Sequence, residues 1–194
     1  MKRSVFGVLC AISAIAAPAA AQGVPLVHFG IMGGYSLPYS TLKDYASSGW
    51  GGGVTLRIGA PLVPVAFRVD ATYNVMNGKT LTLPGPTTVD NDFTVWNATA
   101  NVEFVLIGKA LPTKLYLIGG LGYYNIQQKV NVTSPVPLST PLNSSKFGYN
   151  AGLGVRFTKL FVEARWNTVS DGLTTSTGSK TTLEYIPITV GLMF

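Results

Sequence analysis

The chain has 194 residues, of which 47% are hydrophobic and only 11% charged, with 22 glycines and a formal charge of +6. A typical soluble protein carries about 25% charged residues, so an ordinary polar-surfaced globule is disfavoured. Past the N-terminal segment no 18-residue apolar run offers a membrane helix, and the basic residues are too scattered for a nucleic-acid partner.

The first element is a secretory signal, residues 1–21. Lys2 and Arg3 form its positive end, Val5 to Ala17 its apolar stretch, and Ala19-Ala20-Ala21 a small-residue cleavage site. The mature domain, 22–194, is expected to start near Gln22. Cys10 is the only cysteine and lies inside this segment. The preceding Gly7-Val8-Leu9 does not make a lipoprotein cleavage box, so the mature chain is read as cysteine-free and without disulfides. Losing Lys2 and Arg3 takes the formal charge from +6 to +4.

From there one unit recurs: about ten alternating residues, then a turn. Leu26–Ser36 sets Val27, Phe29, Ile31 and Tyr35 on one face. Trp50–Gly59 sets Trp50, Val54, Leu56 and Ile58. Val63–Asn74 gives Val65, Phe67, Val69, Ala71 and Tyr73. Phe93–Ile107 gives Trp96, Ala98, Ala100, Val102, Phe104 and Leu106. In Lys114–Asn125 both faces are apolar; the reading of Leu115, Leu117, Leu121 and Tyr123 as one face leaves its phase open. Phe147–Phe157 gives Phe147, Tyr149, Ala151, Leu153, Val155 and Phe157, and Leu160–Thr168 gives Leu160, Val162, Ala164 and Trp166. The last strand, Glu184–Phe194, alternates Ile186, Ile188, Val190, Leu192 and Phe194. These are eight strands of a single domain. Their connections alternate: Gly59–Leu62, Gly108–Thr113 and Thr158–Lys159 are short, whereas Leu37–Ser48, Met76–Asn91, Ile126–Lys146 and Ser170–Thr181 are long and rich in Ser, Thr, Asn, Pro and Gly. An up-and-down meander therefore has all its short turns at one end and all its long loops at the other.

The opposite face of the strands carries Arg57, Arg68, Asp70, Glu103, Arg156, Glu163 and Arg165 among Thr and Asn residues, while the apolar face carries no charge. A soluble, lipocalin-like barrel would turn the apolar face inward, and a membrane barrel outward. Three features favour lipid. The polar face is crowded with glycines, such as Gly30, Gly53, Gly120 and Gly154, as a narrow interior demands. Four Arg against three carboxylates suits pairing in a closed lumen. Aromatics gather at strand ends: Tyr35, Trp50, Tyr73, Trp96, Tyr123, Tyr149 and Trp166 toward the loops, and Phe29, Phe67, Phe104, Phe157 and Phe194 toward the turns, as two interfacial girdles would. The expected fold is an all-β, eight-stranded antiparallel up-and-down transmembrane barrel.

The terminal alternation ending in Phe194, the stretch Gly119-Gly-Leu-Gly-Tyr-Tyr124 and the stretch Phe161-Val-Glu-Ala-Arg-Trp166 give the mature chain a resemblance to the small eight-stranded outer-membrane proteins of Gram-negative bacteria, the OmpA-transmembrane-domain and OmpX-like group. The resemblance implies an outer-membrane location. It also implies that Phe194, with Leu192, Val190, Ile188 and Ile186, is read by the barrel-assembly machinery. It specifies a class and no individual activity. The group's roles lie in adhesion, serum resistance and the cell envelope. A peptidoglycan-binding domain beyond Phe194 is not expected.

The sharpest candidate site is the ion cluster Arg57, Arg68, Asp70, Glu103, Arg156, Glu163 and Arg165, read as a plug that fills the lumen in preference to a gate. His28, the only histidine, is read as a lumen or rim residue: no Ser and acid accompany it, as an acyl-modifying enzyme would need. One His and no mature Cys offer nothing for zinc. The glycine pairs open no helix and so form no nucleotide loop. The acid-free segment Lys129–Lys146, with Pro135, Pro137 and Pro141, is either a recognition loop or a solvated cap. The reading is a non-enzymatic outer-membrane barrel with no cofactor or metal, in contact with outer-membrane lipid and the assembly machinery. Its role is structural or in surface interaction, with an outside ligand or a host surface reached through its loops. A narrow channel for small or hydrophobic solutes and a lipid-modifying enzyme are the alternatives.

Overall fold

The computed structural model of the protein describes residues 26–60, 63–79, 81–82, 88–108, 111–133, 138–174 and 180–194. The signal segment with Cys10, Lys109, Pro135 and Pro137 lie outside them. The strands are β1 (Leu26–Tyr39), β2 (Ala46–Gly59), β3 (Val65–Gly78), β4 (Leu81–Thr82), β5 (Thr88–Ile107), β6 (Thr113–Thr133), β7 (Leu138–Phe157), β8 (Leu160–Thr174) and β9 (Lys180–Met193). A single helical turn, α1 (Leu42–Tyr45), joins β1 to β2. The sheet order is β3-β2-β1-β9-β8-β7-β6-β5, and β3 pairs with β5 to close the ring. This is an eight-stranded, antiparallel, up-and-down barrel, with the two-residue β4 added to the outer end of β5.

Closure satisfies each strand's backbone from both sides, which hydrocarbon demands because it offers no water to an open edge. The last seam is made by residues distant in sequence. β1 pairs with β9 from Gly30↔Met193 to Tyr39↔Glu184, and Phe29 and Phe194 exchange backbone hydrogen bonds at 3.1 and 2.6 Å.

The apolar faces point outward. Phe29, Ile31, Phe67, Val69, Val102, Phe104, Leu153, Val155, Val162 and Val190 are all exposed. The open phase of the 114–125 strand is settled by Leu117, Leu121 and Tyr123, which face out, while Tyr116, Ile118 and Tyr124 are buried. The loop-side aromatics meet across strands: Tyr35 stands opposite Trp50, Tyr73 opposite Trp96, and Tyr123 packs edge-on against Phe147 with centroids 5.7 Å apart.

At the turn end Gly108 has φ +87°, and an added Cβ there would lie 2.0 Å from the Thr113 carbonyl, so this tight return needs glycine. The loop end departs from the sequence reading. Much of the four stretches expected as loops is paired strand: β5 pairs with β6 out to Thr88↔Thr133, and β6 with β7 out to Val132↔Leu138. β5, β6 and β7 thus rise together as a three-stranded sheet beyond their pairing with β3 and β8. Thr, Val and Ile favour paired strands; the Ser, Asn, Pro and Gly among them made these stretches look like loops.

Two outcomes check this architecture. The folded mature protein is expected to migrate differently in SDS before and after boiling, and identical mobility would count against a closed barrel. Val69→Arg, on the outward face, is expected to lower unfolding stability in lipid by about 2–4 kcal/mol, measured by urea titration in vesicles.

Candidate functional site

The interior of an eight-stranded barrel is just wide enough for side chains to fill it. Here they do so in levels. The central one is a closed ring of four charges on two strands. Arg68 donates from Nε to Asp70 Oδ1 (2.8 Å) and from Nη1 to Glu163 Oε2 (2.7 Å). Arg165 donates from Nη1 to Asp70 Oδ2 (2.9 Å) and from Nε to Glu163 Oε1 (2.9 Å), with a further Nη2 contact to Glu163. β3 and β8 are four places apart in an eight-strand ring. The Arg68–Glu163 and Asp70–Arg165 pairs therefore span the full diameter as a strut.

All four members are buried, so their remaining hydrogen-bonding capacity must be met internally. Thr55 accepts from Arg68 Nε at 2.9 Å, Asn101 donates to Asp70 Oδ2 at 2.9 Å, and Tyr116 donates to Glu163 Oε2 at 2.9 Å. Arg68 also lies over the Phe161 ring, 5.0 Å from its centroid. Glycine makes room for these rings: a Cβ on Gly154 would sit 2.3 Å from Tyr116, and one on Gly191 would sit 2.3 Å from Phe161.

The second ionic group is nearer the turns. Glu103 accepts from Arg156 Nη2 (2.6 Å) and Nη1 (3.2 Å) and from Arg57 Nε (3.1 Å). Arg156 stacks over Tyr116 at 5.3 Å, which links the two groups through one phenol. The seven charged residues singled out from the sequence thus lie in two contiguous sets.

Above the strut lies a layer of amides and hydroxyls. Asn150 donates to Asn101 (2.9 Å), Ser36 to Asn74 (2.8 Å), Tyr124 to Asn167 (3.0 Å) and Asn97 to Tyr185 (3.0 Å). A small chamber of about 30 Å³ lies here, lined by Thr72, Asn74, Asn97, Arg165, Asn167 and Tyr185 among others, with room for roughly two waters. It borders a break in the wall. The β8–β9 pairing lapses at Arg165 and Trp166, opposite Pro187, which has no N–H to give. Asn167 Nδ2 serves the Arg165 carbonyl instead, at 3.3 Å, while the indole N–H of Trp166 is buried without an acceptor among the described residues.

The loop end of the lumen is closed by an apolar stopper that the sequence reading missed. Met76, Phe93, Val95, Tyr124, Ile126, Val169, Leu183 and Tyr185 form one buried cluster, and Leu42 of α1 is driven into it with no exposure. Phe93 and Val95 share the phase of Asn97, Thr99, Asn101 and Glu103. That phase placed them inside, but the assumption of a uniformly polar lumen hid them.

The remaining candidates are dispersed. His28 is half-buried on the inner face at the turn end, across from Arg57. Ile188, Val190, Leu192 and Phe194 face outward and Ile186 is half-buried. Tyr35, Trp50, Tyr73, Trp96 and Tyr149 are exposed; Trp166 is half-buried beneath Tyr149, ring centroids 5.8 Å apart. Among the described residues no group of His, Cys, Asp and Glu could hold a metal ion.

A closed antiparallel ring with an oily exterior and a charged, filled interior is the form a strand-built membrane protein takes. The family model for the outer membrane protein beta-barrel domain matches residues 7–194. The chain belongs to that family. It is an outer-membrane β-barrel protein, and its apolar exterior faces lipid. Among solved structures it is similar to Ail, the attachment invasion locus protein of Yersinia pestis, crystallised with the heparin analogue sucrose octasulfate. Identity is 15%, over 87% of this chain and 99% of Ail, with a TM-score of 0.51. It is also similar to a major outer membrane protein of Thermus thermophilus (13% identity, 87% and 100% coverage, TM-score 0.51). A third similar structure is Neisserial surface protein A (12%, 88% and 97%, TM-score 0.50). At these identities the likeness is one of fold. No curated protein sequence matches this outer-membrane protein.

Removing one member of a buried ion pair leaves the other uncompensated and costs about 3–5 kcal/mol. Glu163→Ala, which strands both Arg68 and Arg165, is expected to lower stability by that amount. The temperature at which the unboiled gel band converts to the unfolded one should fall with it, while Lys146→Ala should leave it unchanged.

Proposed function

We propose that this outer-membrane protein is a closed, non-enzymatic barrel that acts as a structural element of the envelope or through contacts made at its loop end. The observation that carries this reading is the double occlusion of the lumen. A solute would have to displace both the diametric strut and the apolar stopper seated by Leu42. The charged network is read as a plug: the strut is balanced, two bases against two acids, and its donors and acceptors are engaged. The position of His28 argues against lipid chemistry, since its cross-strand neighbour is Arg57 and not a hydroxyl or an acid.

The same reading assigns the outward aromatics to the two lipid–water boundaries. The alternating face that ends in Phe194 serves as the label taken up by the assembly machinery. Recognition falls to the loop end, where the β5–β6–β7 sheet stands out from the wall. Ail is named with a heparin analogue. In this chain the loop half carries Lys43, Lys79, Lys129, Lys146 and Lys180 against Asp44, Asp90, Asp92, Asp171 and Glu184. Such a balanced surface has no excess positive field for a polyanion, so a largely uncharged outside partner is favoured.

Single-channel recording in planar bilayers tests the reading. Neither the native protein nor Glu163→Ala is expected to open a steady conductance, because the stopper remains in place when the strut is cut. A steady conductance from the native protein would establish the channel alternative. On intact cells displaying the protein, where the loop end faces outward, no binding of soluble heparin is expected at physiological salt.

A further inference from the structure

The charges of this barrel are unevenly shared along its axis. The loop half is balanced and so is the strut. Among the described residues the turn half holds Arg57, Lys114, Arg156 and Lys159 against Glu103 alone, four cations to one acid. Lys109 is outside the described residues and nothing below depends on it. Lys159 sits in the two-residue turn between β7 and β8.

Three of these cations converge inside the mouth. Lys114 lies on the inner face of β6, half-buried and directly across from Arg156 of β7. The charges facing it are Arg156, Arg57 and Glu103. Arg57 on β2 is flanked by His28 on one neighbouring strand and by Arg68 on the other. Glu103 is already committed to the two arginines: Oε1 accepts from both Arg57 Nε and Arg156 Nη2, and Oε2 accepts from Arg156 Nη1. The two terminal amino groups of Arg57 have no acceptor among the described residues, although its side chain is only 11% exposed. Nor has the Lys114 ammonium an acidic partner among them. A mouth with three cations and one committed carboxylate, set in a partly desolvated wall, holds unspent donors and a strong local field. The fork of a guanidinium beside an ammonium is the donor set that phosphate oxygens accept best.

We propose that the turn-side mouth of the lumen is an anion-binding site in which Arg57, Lys114 and Arg156 take a phosphate-type oxyanion. The group comes either from a soluble phosphate or from the headgroup of a phospholipid in the leaflet that surrounds the turns. Occupancy relieves the repulsion among the three cations, so the bound anion stabilises the fold by mass action. The site does not depend on whether the lumen conducts.

The test uses the folded mature protein in zwitterionic detergent, with inorganic phosphate as one probe and phosphatidylglycerol doped into the micelles as the other. Thermal stability and calorimetric binding are read at constant ionic strength against chloride and against phosphatidylcholine. Lys114→Gln keeps both arginine contacts to Glu103 and is expected to weaken binding at least tenfold and to remove most of the phosphate-induced stabilisation. Lys114→Arg should restore both, which separates loss of the ligand from loss of the fold. Lys146→Gln, at the loop end, should bind as the native protein does. Saturable binding of inorganic phosphate supports the site with a soluble source; saturable binding of phosphatidylglycerol alone supports it with a lipid source. Absence of saturable binding to either probe overturns the proposal, as does binding that Lys114→Gln leaves unchanged.

Discussion

The interior of this barrel depends on charges that cross it from wall to wall. Arg68 and Asp70 on one side meet Glu163 and Arg165 on the other, and no other ion pair among the described residues joins diametrically opposed strands. Each ion is costly to bury alone. Four in an alternating ring, with Thr55 sharing the Arg68 Nε proton and Asn101 and Tyr116 donating to the acids, form a group that is balanced in charge. Because β3 and β8 project these pairs at matching heights, the ring also opposes sliding of one wall past the other. A slip of either strand by one residue would move its own two charges to the lipid face.

Around that ring the lumen is graded. Toward the turns lie cations in excess, then the strut, then amides and hydroxyls around a small chamber, then an oily stopper. The grading follows from what each level meets. Near the loops α1 can be tucked inward, and Leu42 finds apolar partners. At mid-height a polar side chain can reach only other side chains, so it must be paired. The wall itself imposes the one irregularity near the chamber: Pro187 cannot complete the ladder, and Asn167 supplies the missing donor.

Much of this was legible in the sequence, for a physical reason. Lipid tolerates no charge on a strand's outer face, so a period of two survives in nearly every strand, from Val27 to Phe194, and orientation follows from which face carries Arg and Glu. The Lys114–Asn125 stretch resisted because Tyr116, Ile118 and Tyr124 fill the lumen with apolar bulk that looks like lipid-facing bulk. Phe93 and Val95 were hidden for the same reason, and the Leu42 anchor because a single helical turn leaves no periodic signal. The ends of β5, β6 and β7 looked like loops because Ser, Asn and Pro interrupt the alternation that marks the rest of each strand. The partners within the ion network were not legible: which arginine meets which acid depends on the stagger of strands around the ring, and composition carries no record of stagger.

The seam between β1 and β9 has a consequence for how the molecule is made. Every other wall contact except β3–β5 joins consecutive strands and can form as a hairpin, but Phe29 and Phe194 sit at opposite limits of the domain. Until β9 has been synthesised and exported, β1 and the last strand then present both offer bare edges that hydrocarbon cannot tolerate. No partial barrel is therefore a comfortable resting state in the bilayer. The chain must commit to lipid as a whole, because only the joining of β1 to β9 leaves no edge bare.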